Sequence, residues 1–281
     1  MSSKSMSLKA RIKQYAKNNK ITAQVVLQNY MFERFLERLS RSKYQNKFII
    51  RGGILISNLV GLDTRSTMDL DTTLRDLLLT EEKIFKAINS ICMIDVYDEV
   101  SFNIVSVTPI RKDAPYGGLC VRLDAVYDMI ITPLSIDISA GDVMTPDAVP
   151  CEFGCLFDEN LTISLWSYNI ETIMAEKIET ILSRGTLSTR PRDYYDIYIL
   201  TTNQKYDKYL FWSALESTSE HRGSKEIIMP YEPILKRIQN SKDFKKQWIK
   251  YQNKFSYAKE IAYEDVIATI RIIMQNFIAT A

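Results

Sequence analysis

The chain has 281 residues, enough for one large domain or two modest ones, and its 46% hydrophobic and 25% charged content is that of an ordinary globular protein. No apolar run approaches the roughly 20 residues that a membrane-spanning helix needs, and the Lys- and Ser-containing start has no signal-peptide core, so the expected location is the cytoplasm with no membrane partner. Four cysteines without a CxxC pair argue against a structural zinc site or a disulfide framework, and the single histidine, His221, is all that a histidine-based mechanism could draw on. The net charge of +2 hides an asymmetry: residues 1–50 carry 11 Lys/Arg against 2 Asp/Glu, residues 51–160 carry 8 against 18, and residues 161–281 carry 17 against 14. An acidic middle suits a metal-binding carboxylate cluster, and basic flanks suit a polyanionic substrate such as RNA, although solvated helix faces would give the same flanks.

Residues 6–18 and 22–40 read as two helices around the polar break Asn18-Asn19-Lys20. Val25, Val26, Leu27, Met31, Phe32, Phe35, Leu36 and Leu39 recur at helical spacing and face inward, while Glu33, Arg34, Glu37, Arg38 and Arg41 form the charged side. Lys9, Arg11, Lys13 and Lys17 offer a possible RNA contact.

The stretch from Phe48 to Arg75 follows. Phe48, Ile49 and Ile50 suit a strand buried on both faces, Gly52-Gly53 permits a tight turn and close approach to a ligand, and Ile54 to Val60 reads as a short helix. The helix N-terminus beside those glycines favours a phosphate. Asp69 and Asp71, in MDLDTTL, point to the same side if the segment is a strand, and two carboxylates on one edge can share Mg²⁺ or Mn²⁺. A polar strand face or a turn with solvated acids is the plain alternative for a lone Asp-x-Asp.

Thr80-Glu81-Glu82 begins a helix that runs to about Cys92. Segments 101–111, 119–126 and 129–138 are β-rich, with turn signals at Pro115 and Gly117-Gly118 between the first two, and complete a mixed sheet. From Ser167 the pattern turns helical, placing a boundary near 150–165 and two domains at 1–160 and 161–281. In the helix 167–184 Lys177 falls on the apolar face with Ile173 and Ile181, so it either snorkels to water or meets an anion. In STRPRDYYDIYIL, Pro191 suits a first helical turn, and Asp193 and Asp196 share a face with Ile197 and Leu200. An internal ion-pair network that neutralises Lys177 or Arg190 would explain those acids, and so would a functional site. Residues 204–281 read as helices with a break near 221–224, and Phe244, Trp248, Tyr251 and Phe255 recur at helical spacing and are read as core.

At these residues the sequence resembles a known family. Gly-Gly followed by Asp-x-Asp is similar to the polymerase-β-type nucleotidyltransferase signature, and RGGILISNLVGLDTRSTMDLD, AEKIETILSRG and RPRDYYD resemble motifs of the AbiEii/AbiGii toxins of type IV toxin-antitoxin and abortive-infection systems. Arg51 stands where the usual motif has Lys, Gly53 where the broader one has Ser, and Arg192 where the family has Lys. The resemblance implies an α/β (α+β) fold: a polymerase-β-like mixed sheet with a helical N-terminal lead-in and a helical C-terminal domain. It also implies NTP-dependent, Mg-dependent transfer onto an acceptor, with tRNA as the leading acceptor and GTP, CTP or UTP as donor. Asp69, Asp71 and a third carboxylate would bind metal; Asp137 in SIDISAGD is preferred over Asp124. Gly52, Gly53, Arg65, Thr67, Lys177 and Arg190 would hold the nucleotide, with Asp193 and Asp196 completing the catalytic set. A cognate antitoxin that need not bind the toxin is implied as well. A GTP-binding toxin, a protein-modifying transferase and a non-catalytic nucleotide-binding module are the competing readings.

Overall fold

The computed structural model describes residues 3–110 and 117–278, with side chains as far as 275. The chain divides into two units: Met1–Asp142 with Val149–Ser167, and Val143–Ala148 with Tyr168–Ala281. The division expected after residue 160 falls inside a strand of the first unit.

The first unit is a seven-stranded mixed sheet with helices α1 (Ser3–Asn18), α2 (Ala23–Ser40), α3 (Gly52–Val60) and α4 (Glu81–Cys92). Its strands are β1 (Phe48–Arg51), β2 (Leu70–Leu74), β3 (Val100–Ile110), β4 (Gly118–Tyr127), β5 (Ile130–Ala140), β6 (Val149–Cys155) and β7 (Asp158–Ser167), in the order β3-β4-β5-β2-β1-β7-β6. The β2–β5 and β1–β7 pairs are parallel and the others antiparallel. The mixed α/β class expected from the sequence is the one found. Phe48, Ile49 and Ile50 are fully buried, as their unbroken apolar run requires. The expected Pro115 turn lies outside the described residues. The β6–β7 hairpin is absent from the sequence reading, because Pro150, Gly154 and two cysteines break the alternation of β6; the pairing of β7 with β1 at Ile50 and Ser167 joins it to the sheet.

Helix α2 starts at Thr22, whose side chain accepts from the Val25 N–H, and buries the apolar face read from the sequence. Its charged side, however, is not the solvent face. Glu33, Arg34, Glu37 and Arg38 are all buried, each with a polar or charged partner inside the unit. Arg38 clasps Asp98 with two 2.7 Å bonds and also donates to the Val100 carbonyl, pinning α2 to the start of β3. Glu33 accepts from the Leu156 N–H at 3.0 Å, tying α2 to the hairpin turn. Arg11, one of the suggested RNA contacts, donates to the Phe157 carbonyl and lies 4.6 Å from that ring's centroid, and like Lys13 and Lys17 it is exposed.

The second unit is helical: α5 (Ile170–Arg184), α6 (Pro191–Asn203), α7 (Lys208–His221), α8 (Lys225–Ile228), α9 (Tyr231–Asn240), α10 (Lys242–Lys254) and α11 (Tyr263–Ile278). The Asn169 side chain caps α5 by accepting from the Thr172 N–H, and it donates to the Thr145 carbonyl at 2.7 Å. Phe244, Trp248 and Tyr251 of α10 are buried, with the Phe244 ring 4.5 Å from that of Tyr194, so they form core as the periodicity predicts. Phe255, past the end of α10, is half-buried.

Candidate functional site

The first unit's chemistry gathers where β1, β2 and β5 lie side by side. β1 ends at Arg51 and α3 begins at once at Gly52, two residues earlier than the sequence reading. Gly52 has φ +66°, a conformation that L side chains rarely adopt. A Cβ there would also lie 2.7 Å from Asp71 Cγ and 2.8 Å from Asp71 Cβ, and closer still to Oδ2. Asp71 is thus packed directly on the glycine backbone. Gly53 performs the same service for Thr67, whose Cβ would be 2.9 Å from an added methyl. The first turn of α3 has no side-chain cap, leaving its N–H groups beside this point.

Asp71 and Asp137 are register partners on the parallel strands β2 and β5, so their side chains lie on one face of the sheet. Asp69 sits just ahead of β2 and is exposed, whereas Asp71 and Asp137 are half-buried. Burial, and after it the nearby Asp71 and Asp69 carboxylates, raise the Asp137 carboxyl above its ordinary value, against a Cys120 hydrogen bond and the Arg51 charge. The rival third acid, Asp124, is opposite Pro133, whereas Asp137 is opposite Cys120, so Asp124 lies four residues further along β4 than the Asp137 position. Asp71 and Asp137 offer carboxylate oxygens on one face of the sheet, the hard donor type that Mg²⁺ or Mn²⁺ takes. Among the described residues no three His, Cys, Asp or Glu side chains are arranged to hold a metal ion alone. An ion held here would draw further ligands from substrate oxygens and water, the common pattern for magnesium.

Arg65 and Thr67 are buried within the loop between α3 and β2. Arg65 is 2% exposed, donates to the Ser66 carbonyl at 2.6 Å, and lies 3.5 Å from where a Gly53 Cβ would be. It organises the loop from inside. Asn29 of α2 donates to the Thr67 carbonyl at 2.8 Å, so the helical lead-in also braces this loop.

Sequence reasoning passed over Asp142. Its Oδ2 accepts from Thr73 Oγ1 at 2.9 Å and from the Ser139 hydroxyl, and lies 3.5 Å from Arg51 Nη1. It therefore holds the Arg51 guanidinium next to Asp71, the register partner of Arg51 on β2. The only hint was the second acid of SIDISAGD, which no periodicity distinguishes from a turn residue.

In the second unit, Lys177, Asp193, Asp196 and Arg190 do come together. Lys177 Nζ is 3.0 Å from Asp193 Oδ1 and 2.7 Å from Asp196 Oδ2, and Arg190 Nε is 2.7 Å from Asp193 Oδ2. Asp193 and Asp196 side chains are 3% and 0% exposed, so α5 and α6 are joined through a buried ion-pair network. The internal network weighed at the sequence level is thus present, and Lys177 meets anions that belong to the protein itself.

No curated protein matches the chain. The chain is similar to solved structures at low identity. The JHP933 protein of Helicobacter pylori is 14% identical, with 92% of this chain and 95% of that one covered and a TM-score of 0.50. A candidate nucleotidyltransferase of the same organism is 13% identical, with 93% and 99% covered and a TM-score of 0.49. Residues 34–269, most of the chain, match the family model of the nucleotidyl transferase AbiEii toxin of type IV toxin-antitoxin systems, and the chain belongs to that family.

Proposed function

We propose that the protein is a metal-dependent nucleotidyltransferase that adds nucleotides to the 3′ end of tRNA in the cytoplasm and so blocks translation. The observation that carries this reading is the register of Asp71 against Asp137, with Asp71 seated on Gly52 at the start of α3. That arrangement supports oxygen ligation of a divalent cation next to a helix N-terminus, where a triphosphate is favoured.

In this mechanism Asp69, Asp71 and Asp137, together with oxygens of substrate and water, would hold magnesium, which would supply positive charge to offset the negative charge of phosphoryl transfer. The α3 N–H groups and Gly52-Gly53 cradle the triphosphate of GTP, CTP or UTP, with Thr67 and Arg65 keeping the loop in shape. Asp137 accepts the proton of the acceptor's terminal hydroxyl at its carboxylate. Asp142 keeps Arg51 oriented beside Asp71. Lys177 and Arg190, ordered by Asp193 and Asp196, belong to the catalytic set. Positioning and electrostatics supply most of the rate, since phosphoryl transfer asks little covalent help of the protein. The toxin family implies an antitoxin partner. In our reading that antitoxin opposes the toxin's effect without needing to bind it.

The test is incubation of the purified protein with each labelled nucleotide in turn, together with total RNA or total protein, with and without a chelator. Metal-dependent label at tRNA 3′ ends, lost in Asp69→Ala and Asp71→Ala, is the expected result. Label in protein alone would point to the protein-modifying reading. Growth arrest that survives both Asp69→Ala and Lys177→Ala would leave a non-catalytic nucleotide-binding module.

A further inference from the structure

The second unit carries a basic groove of which the chemistry above uses only Arg190. It has a volume of about 490 Å³ and lies between the N-terminal end of α6 and the side of α10, with Arg190, Arg192, Lys250 and Lys254 on its walls and no acidic residue among them. Arg190 is paired with Asp193. Arg192, Lys250 and Lys254 have no carboxylate partner among the described residues.

Phe255 holds two of these cations in place. The Arg192 guanidinium is 5.7 Å and the Lys254 ammonium 5.4 Å from its ring centroid, and Tyr257 stacks on it at 5.3 Å. Its faces are therefore engaged by the protein's own groups, so base stacking on this ring contributes little. At the same end, α6 opens with Pro191, and Arg190 in the capping position makes no side-chain cap. The partial positive charge of a 13-residue helix adds to the three cations that have no carboxylate partner.

A single free phosphate is captured by buried, convergent donors. Here the lysines are exposed and the cations are spread along two helices over an open trough, a layout that follows a chain of charges. We propose that this groove binds the phosphodiester backbone of a nucleic-acid strand, independently of its sequence. The proposal rests on the reading above that the acceptor is RNA, and it assigns the second unit a role in holding that acceptor.

The test uses the full chain and a short fluorescent oligoribonucleotide, with binding followed by anisotropy across a salt series. In the triple variant Arg192→Gln/Lys250→Gln/Lys254→Gln, three phosphate contacts are removed, so the slope of log affinity against log salt should fall by about 2. Lys250 and Lys254 are exposed, and an unchanged thermal unfolding midpoint establishes that the fold is kept. An unchanged slope and affinity would overturn the proposal. So would inorganic tripolyphosphate that binds as tightly as the RNA and loses its affinity in the same variant, because the groove would then serve a nucleotide's phosphates. Label incorporation is read in parallel: wild-type protein that labels RNA while the variant binds it normally sinks the groove alone, whereas label in protein only sinks the acceptor reading.

Discussion

Gly52→Ala separates backbone strain from site geometry. An alanine at φ +66° costs about 1–2 kcal/mol on conformational grounds. Gly223 has nearly the same angle, φ +63°, but nothing lies within 4 Å of an added Cβ, so Gly223→Ala has the strain without the collision. For a chain of this size each kcal/mol lowers Tm by about 2–4 °C, so the strain they share should lower Tm by roughly 2–8 °C in both variants. They part company in activity. At Gly52 the new methyl would be 2.7 Å from Asp71 Cγ, against the 3.4 Å at which ordinary van der Waals contact begins, so the carboxylate must move by most of an ångström. A displacement of about 1 Å at a reacting centre costs on the order of 100-fold in rate. Nucleotide incorporation by Gly52→Ala should therefore fall about 100-fold while Gly223→Ala stays within a few-fold of wild type. Equal activity in the two variants, with equal Tm losses, would refute the view that Asp71 must rest on the glycine backbone.

Lys177→Met removes the cation from two buried aspartates and should destabilise the second unit by about 3–5 kcal/mol, read by chemical denaturation; a loss below about 1 kcal/mol would mean the network carries little weight. Asp142→Ala, which removes one carboxylate from beside Arg51, should lower nucleotide incorporation with little change in Tm, and full activity in that variant would dismiss it as a positioning residue. Burial raises the Glu33 carboxyl from 4.5 to about 8, opposed by the Leu156 N–H and Arg34. The sign follows from linkage: the folded chain keeps this proton longer than the unfolded chain, so the contribution is full below pH 4.5 and is lost as the pH rises to about 8. Glu33→Gln retains the acceptor for Leu156 and should therefore gain stability over wild type between those limits, by a few kcal/mol at the upper end. Thermal midpoints of both proteins on either side of this window test it, and a pH-independent difference would contradict it.

Much of the first unit could be read from local pattern, because its signals are local. The apolar run 48–50, the glycine pair, the cap at Thr80 and the alternation of β3 to β5 each depend on a few neighbouring residues, and each element formed within about two residues of its expected place. What failed depends on contacts distant in sequence. Glu33, Arg34, Glu37 and Arg38 look like a solvent face, yet Asp98 and the Leu156 N–H, 60 and 123 residues away, take them inside. Arg65 is likewise a charged residue taken inside, 2% exposed within its loop. Charge alone does not reveal burial, since a paired ion and a solvated one are written with the same letter.

The acids show the same limit from the other side. Alternation could place Asp69 and Asp71 together only if both lay on one strand, and Asp69 turns out to precede β2. What brings the second carboxylate alongside Asp71 is instead the parallel pairing of β2 with β5, a register across 66 residues that no local pattern encodes. A one-residue slip in that register would send Asp137 to the opposite face and bring Ile136 or Ile138 against Asp71. Leu70, Ile136 and Ile138 are buried at 0%, 1% and 1% exposure, so such a slip would also expose the core. The hydrophobic packing of these strands therefore fixes the carboxylate pair: the same alternation that buries the isoleucines sets Asp137 beside Asp71.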